Sequence, residues 1–257
     1  MKKVILFLLI SGFAFALNKQ ALAKNLLGSR YYKHRGLVSQ ILKNRNSVES
    51  IVMGLEANGL IPIKFSSART IHTTFIFTDN NPQLDNIVLS EVLRKNGFTK
   101  LLPIYIESKN RYKITYEMKS YNYISPSDFI TGLREFNCRL AYISRYPHYT
   151  YTINCSRAVM PFKPLSSQPE DVRNYFGTYW FKRAGFRKIA ISNPPSNTWH
   201  PYVVFYDRHM NILRVITSSK VRRNAIYRFP RGSVYVKVQD NYAERNIHRG
   251  LSIKGLK

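Results

Sequence analysis

Cys138 and Cys155 are the two cysteines of this chain, and they can either pair as a disulfide or act as thiol nucleophiles. The residues between them favour the first. Across 136–157, FNCRLAYISRYPHYTYTINCSR, pairing positions whose numbers sum to 293 sets Cys138 opposite Cys155, Leu140 opposite Ile153, Tyr142 opposite Tyr151 and Ser144 opposite Tyr149, with Tyr146-Pro147 at the tip. That face is mostly apolar. The reverse, with Arg139 opposite Asn154 and Ala141 opposite Thr152, is more polar, as a half-buried antiparallel pair requires. A disulfide closing this hairpin removes both sulfurs from nucleophilic chemistry and stabilises by about 3 kcal/mol for a loop of this size.

Other catalytic equipment is scarce. The chain has no Gly-rich phosphate loop, no His-Glu-x-x-His, no G-x-S-x-G and no S-x-x-K, and none of its six histidines stands at the i, i+4 spacing that would place two ligands on one helix face. Glu107 and Glu117, on adjacent strands flanking a tight turn, are arithmetically available as a glycosidase pair, although Lys109 and Lys119 beside them suit ordinary ion partners. The sequence assigns no catalytic residue, no cofactor and no metal.

Binding chemistry is richer. Lys220, Arg222, Arg223, Arg228 and Arg231 form a basic run that resists burial and reads as an anion-contact patch. Just before it, 192–209 gathers Trp199, Tyr202 and Tyr206 around a proline-rich loop, with Arg187, Lys188 and Arg208 close in sequence. Aromatic planes beside cations can stack sugars or bases while guanidinium groups hold phosphates or carboxylates. The competing reading places Trp199, Tyr202 and Phe205 in the core of a small sandwich that needs large side chains to fill it.

The elements that must position these groups follow from periodicity. Residues 24–35 lack a sustained period and read as a basic arm, either docked or loose. Helices are expected at 37–44 and 47–57, the second opened by Asn46 with Glu49 and closed by Gly59, then strands at 60–65 and 70–78. A second round gives a helix at 84–96 closed by Gly97, with strands at 100–107 and 112–119. A third gives a helix from Ser125-Pro126 through Phe136, then the hairpin. Aligning the rounds superposes Ile51, Leu89 and Phe129, then Leu55, Leu93 and Leu133, then Gly59, Gly97 and Asn137, at spacings of 38 and 40 residues, which suggests a helix-strand-strand repeat. Three such units can tile as separate modules or merge into one helix-covered sheet. Residues 159–171, with Pro161, Pro164 and Pro169, have linker composition. Beyond them, β-prone runs at 178–182, 186–192, 202–206, 212–217, 225–229 and 233–239 predict a small β-sandwich or barrel, with 241–257 as an edge strand or basic tail. The fold class is therefore α+β: a repeat-containing region over 24–158, then a β-rich region over 172–257.

Charge and targeting set the context. Residues 24–171 hold 20 Lys and Arg against 11 Asp and Glu, whereas 172–257 hold 17 against 3. A field of that sign attracts polyanions without sequence specificity. At the N-terminus, Lys2 and Lys3 precede an apolar run from Val4 to Phe13, with small-x-small sites ending at Ala16 and Ala23, which reads as a signal peptide within 1–23. These features predict an exported, periplasmic or cell-surface, non-catalytic binding protein with no membrane span after signal cleavage. Its partner is an anionic envelope polymer such as peptidoglycan, or an envelope protein; periplasmic DNA binding and glycan hydrolysis are the alternatives.

Overall fold

The computed structural model of the chain describes residues 18–257 except Asn80, Lys100, Asn110 and Tyr175. The apolar run read as a signal peptide and the Ala16 site expected with it lie outside these residues. The second site does not: Ala21, Leu22 and Ala23 sit in helix α1 (Lys19–Leu27), where Leu22 and Ala23 are buried. Residues 24–35 are accordingly no loose arm. Leu22, Leu26 and Leu27 form one buried stripe, Asn18 caps the helix by accepting from the Ala21 N–H, and α2 (Arg30–Lys33) buries Tyr31. The stripe escapes sequence reading because its first turn falls inside the segment assigned to the leader. Asn25 then accepts from the Arg145 N–H, which ties α1 to the tip of the disulfide hairpin.

Helices α3 (Arg35–Lys43) and α4 (Val48–Ala57) follow, then strand β1 (Lys64–Phe77), α5 (Pro82–Lys95), β2 (Leu102–Glu107), β3 (Lys113–Asn122), α6 (Pro126–Glu135), β4 (Arg139–Ser144) and β5 (Tyr149–Asn154). Helix α4 starts one residue later than expected: Ser47 is the cap and exchanges hydrogen bonds with Ser50, which leaves Glu49 free to accept from the Leu140 N–H. The strands form one sheet in the order β2-β3-β1-β5-β4, with β1 parallel to β5 and the other pairs antiparallel. The round beginning at α4 contributes a single long strand, so the helix-strand-strand repeat is not present three times. What recurs is the helix and its ending. Ile51, Leu89, Phe129, Leu55, Leu93 and Leu133 are all fully buried. Gly59, Gly97 and Asn137 all take left-handed φ values of 67°, 83° and 56°. In each case the next N–H bonds back to the carbonyl of Leu55, Leu93 or Leu133, which is the Schellman closure.

The hairpin closes as expected, with Sγ–Sγ at 2.05 Å, Arg139 opposite Asn154 and Leu140 opposite Ile153. Past Leu140 the register shifts by one residue, so Tyr142 faces Thr152 and Ile143 faces Tyr151. This bulge at Ala141 turns Ile143 into the core and leaves Tyr142 44% exposed, reversing the faces predicted for that half of β4.

The remaining strands are β6 (Lys163–Pro164), β7 (Glu170–Val172), β8 (Thr178–Lys182), β9 (Lys188–Ser192), β10 (Pro201–Tyr206), β11 (Ile212–Thr217), β12 (Asn224–Arg228), β13 (Tyr235–Asp240) and β14 (Leu251–Leu256). They form two sheets, β11-β10-β13-β8-β6 and β12-β9-β14-β7. The proline-rich stretch at 159–171 thus supplies an edge strand to each sheet and buries Met160 and Leu165. The terminal segment, expected at an edge, is β14 in the interior of its sheet, between β9 and β7. Trp199, Phe205, Val236, Val238, Ile189 and Ile253 fill the space between the sheets. Alternation along β10 sends Val203 and Phe205 into this core, while Val204 and Tyr206 join the helix-covered core of the first sheet. Among the described residues, no helix is long and apolar enough to cross a membrane.

Candidate anion-binding groove

Two turns of the sandwich meet at one end. The turn from β8 to β9 takes left-handed φ at Ala184 and Gly185, and the turn from β12 to β13 does so at Gly232. Backbone bonds from the Phe229 N–H to the Arg187 carbonyl and from the Arg183 N–H to the Val234 carbonyl pin them side by side. Between them lies an open groove of about 440 Å³, lined by Arg183, Arg187, Arg228 and Arg231 with Phe229. Arg183 is held in place: its Nε donates to the Phe186 carbonyl at 2.6 Å, and its guanidinium lies 5.5 Å from the Phe229 ring centroid. Arg187, Arg228 and Arg231 are exposed and bond to no carboxylate among the described residues. No acidic side chain lines the groove. Pairing of β12 with β9 also sets Lys188 opposite Arg228, a like-charge juxtaposition that an external anion would relieve. Planar, permanently charged guanidinium forks in this arrangement suit phosphate, sulfate or carboxylate groups.

The acids of the sandwich are engaged elsewhere. Burial opposes ionisation of Asp240, but N–H donors from His200, Ala243 and Tyr242 and the Asn246 amide outweigh it and hold the carboxyl below the usual carboxylate range. Asp207 accepts from the His209 and Asn211 N–H groups within its own turn.

The five basic positions read from the sequence do not form one patch. Arg228 and Arg231 enter the groove, whereas Lys220, Arg222 and Arg223 lie at the opposite end of β12, a strand of about 13 Å from first residue to last. Arg223 is used structurally there, donating to the carbonyls of Pro194 and Asn197. Arg183 was missed, and Arg187 was read with the aromatic segment rather than with Arg228 and Arg231, because both come from a turn some 40 residues earlier in the chain; the β9–β12 pairing that unites them leaves no compositional trace. The aromatic trio also separates. Trp199 is fully buried in the sandwich core, its Nε1 donating to the Gln239 carbonyl, and cannot meet a ligand. Tyr202 and Tyr206 face the other side of the sheet, toward α5.

The register sets Glu107 opposite Lys113 and Glu117 opposite Leu102, about four residues, or ~13 Å of backbone, apart along β3. Glu117 instead pairs with His72 at 2.9 Å. Among the described residues no cluster of His, Cys, Asp and Glu could hold a metal. Comparison with protein-family models, with curated proteins and with solved structures finds no match to this chain.

Proposed function

We propose that this chain is an exported, non-catalytic protein that contacts an anionic component of the cell envelope, in the first place peptidoglycan, through the groove of Arg187, Arg228 and Arg231. One observation carries the reading: beyond Val172 no Lys or Arg forms an ion pair with a carboxylate among the described residues, and four of these cations converge on a groove without an acid. Counter-charge must then come from outside the chain, and a repeating polyanion supplies it at several points at once. The Cys138–Cys155 bridge fits an oxidising compartment outside the cytoplasm. Of the two leader cleavage sites, Ala16 is the one that keeps α1 whole; cleavage after Ala23 would remove the buried Leu22.

A salt-titrated pull-down of the oxidised, leader-cleaved protein against sacculi and against duplex DNA tests the proposal, beside a variant with Arg187, Arg228 and Arg231 changed to Ser. Sacculi are expected to be retained at physiological salt by the parent and lost by the variant. Retention of DNA with equal dependence on the groove would transfer the function to nucleic-acid capture. Retention of neither polymer would reject an anionic polymer as partner and direct the search to envelope proteins.

A further inference from the structure

A second concavity lies on the other side of the same sandwich. Where α5 crosses the outer face of β8, β10 and β13, Asn86 and Ser90 stand across an open cleft of about 260 Å³ from Trp180, Tyr206, Met210 and Lys237. The polar groups here have an unusual balance. Glu91, at the same wall, accepts from Trp180 Nε1 at 3.1 Å and pairs with Arg94, so its charge is already matched. Lys237 has no such partner. Its ammonium sits 5.6 Å from the Trp180 ring centroid and 5.5 Å from that of Tyr202, with no hydrogen bond or ion pair to a protein group among the described residues. Burial lowers its pKa, and Glu91 opposes that shift only in part.

Two π faces compensate a desolvated ammonium incompletely. Its remaining hydrogen-bonding capacity points to an external acceptor. Asn86 receives the Tyr112 hydroxyl at its Oδ1, which leaves its amide N–H groups as donors, and the Ser90 hydroxyl is uncommitted. Tyr206 and Met210 give the cleft an apolar wall. One cation matches one negative charge, which suits a monoanion better than a dianion such as phosphate.

From this arrangement we infer that the cleft is a binding site for a small carboxylate with an apolar body, its carboxylate on Lys237, Asn86 and Ser90 and its apolar portion against Tyr206 and Met210. The site is separate from the arginine groove and does not depend on the polymer reading.

Benzoate is a suitable probe and benzamide its neutral counterpart, each titrated into the oxidised full chain by calorimetry and by the methyl signal of selectively labelled Met210. Benzoate is expected to bind saturably and to shift Met210, with benzamide at least tenfold weaker. Lys237→Met, which keeps the apolar stem, should weaken benzoate at least tenfold, while the triple groove variant should bind it as the parent does. Equal binding of the two probes, absence of any benzoate binding, or benzoate binding that survives in Lys237→Met but is lost in the groove variant would each overturn the assignment. Should Lys237→Met not fold, the benzoate and benzamide titrations with the Met210 signal decide by themselves.

Discussion

The helix-covered sheet and the sandwich are both basic, yet they handle charge in opposite ways. In the first, acids join elements distant in sequence: Glu49 meets Arg134 and the Leu140 N–H, Glu135 pairs with Lys95, and Glu56 accepts from Ser125 and Ser127 to anchor the start of α6. In the sandwich, Asp207 and Asp240 accept mainly from the backbone of their own turns, and among the described residues the carboxylate that answers a Lys or Arg is Glu170, paired with Lys163 between the two edge strands. A single net charge for the chain hides this contrast. Acids of the first region fasten elements to one another; beyond Val172 the cations have no carboxylate partner among the described residues.

Four experiments sharpen or break the contrast. The largest effect is expected at Asp85, which is fully buried, and whose pKa burial, then the neighbouring Asp79, pushes up to about 8 from 3.8. Because the folded pKa is the higher one, the folded chain keeps a proton that the unfolded chain has released. Stability from this group is therefore complete below about pH 3.8, declines as pH rises, and levels off above about pH 8. Denaturant titrations should find Asp85→Asn more stable than the parent near pH 8, by at most on the order of 5 kcal/mol, with the advantage vanishing toward pH 4. A difference independent of pH would refute the shift.

Replacing Cys138 and Cys155 together by Ser should cost about 3 kcal/mol in chemical denaturation and leave retention on anionic polymer unchanged under native conditions. Lost retention in a folded double variant would mean that the two regions are not functionally separate. Next comes the reciprocal pair. Arg187, Arg228 and Arg231 changed to Ser should alter stability by no more than about 0.5 kcal/mol while lowering the slope of log affinity against log salt by about 3. Arg94→Met should do the reverse, destabilising by about 1–3 kcal/mol because Glu91 loses its ion partner, with the salt slope intact. Swapped outcomes would dissolve the distinction. The smallest effect concerns Asn137, in the left-handed position that Gly59 and Gly97 fill elsewhere. Asn137→Gly relieves backbone strain but removes a side-chain bond to the Arg157 carbonyl, so the thermal midpoint should move by no more than the equivalent of about 1 kcal/mol in either direction.

Much of this architecture can be read from the chain, and the failures share a cause. Periodicity identified the stripes of α4, α5 and α6, their shared endings, the closing of the hairpin and strands β8 to β13 of the sandwich, because each is written in residues close in sequence. The bulge at Ala141 was illegible, since one extra residue changes no composition yet inverts every face beyond it. So was the joining of 64–77 into one strand, which depends on β3 and β5 lying on either side. At the groove, Arg228 and Arg231 were visible as charge, whereas Arg183 and Arg187 became their neighbours only through strand pairing. Trp199 stood open between ligand contact and core because an aromatic beside a proline-rich loop has the same local signature in both places; the structure buries it.

The position of β14 also imposes an order in time. Leu251–Leu256 lies between β9 and β7, pairing with residues some 60 to 80 positions earlier. During synthesis from the N-terminus, the disulfide-bearing sheet has all its strands by Asn154, whereas β7 and β9 must wait, unpaired with each other, until Leu251–Leu256 emerges. Until then the inner edges of the sandwich stand open, so this half of the molecule passes through a stage at which a chaperone, or a second copy of the same segment, could take the vacant place.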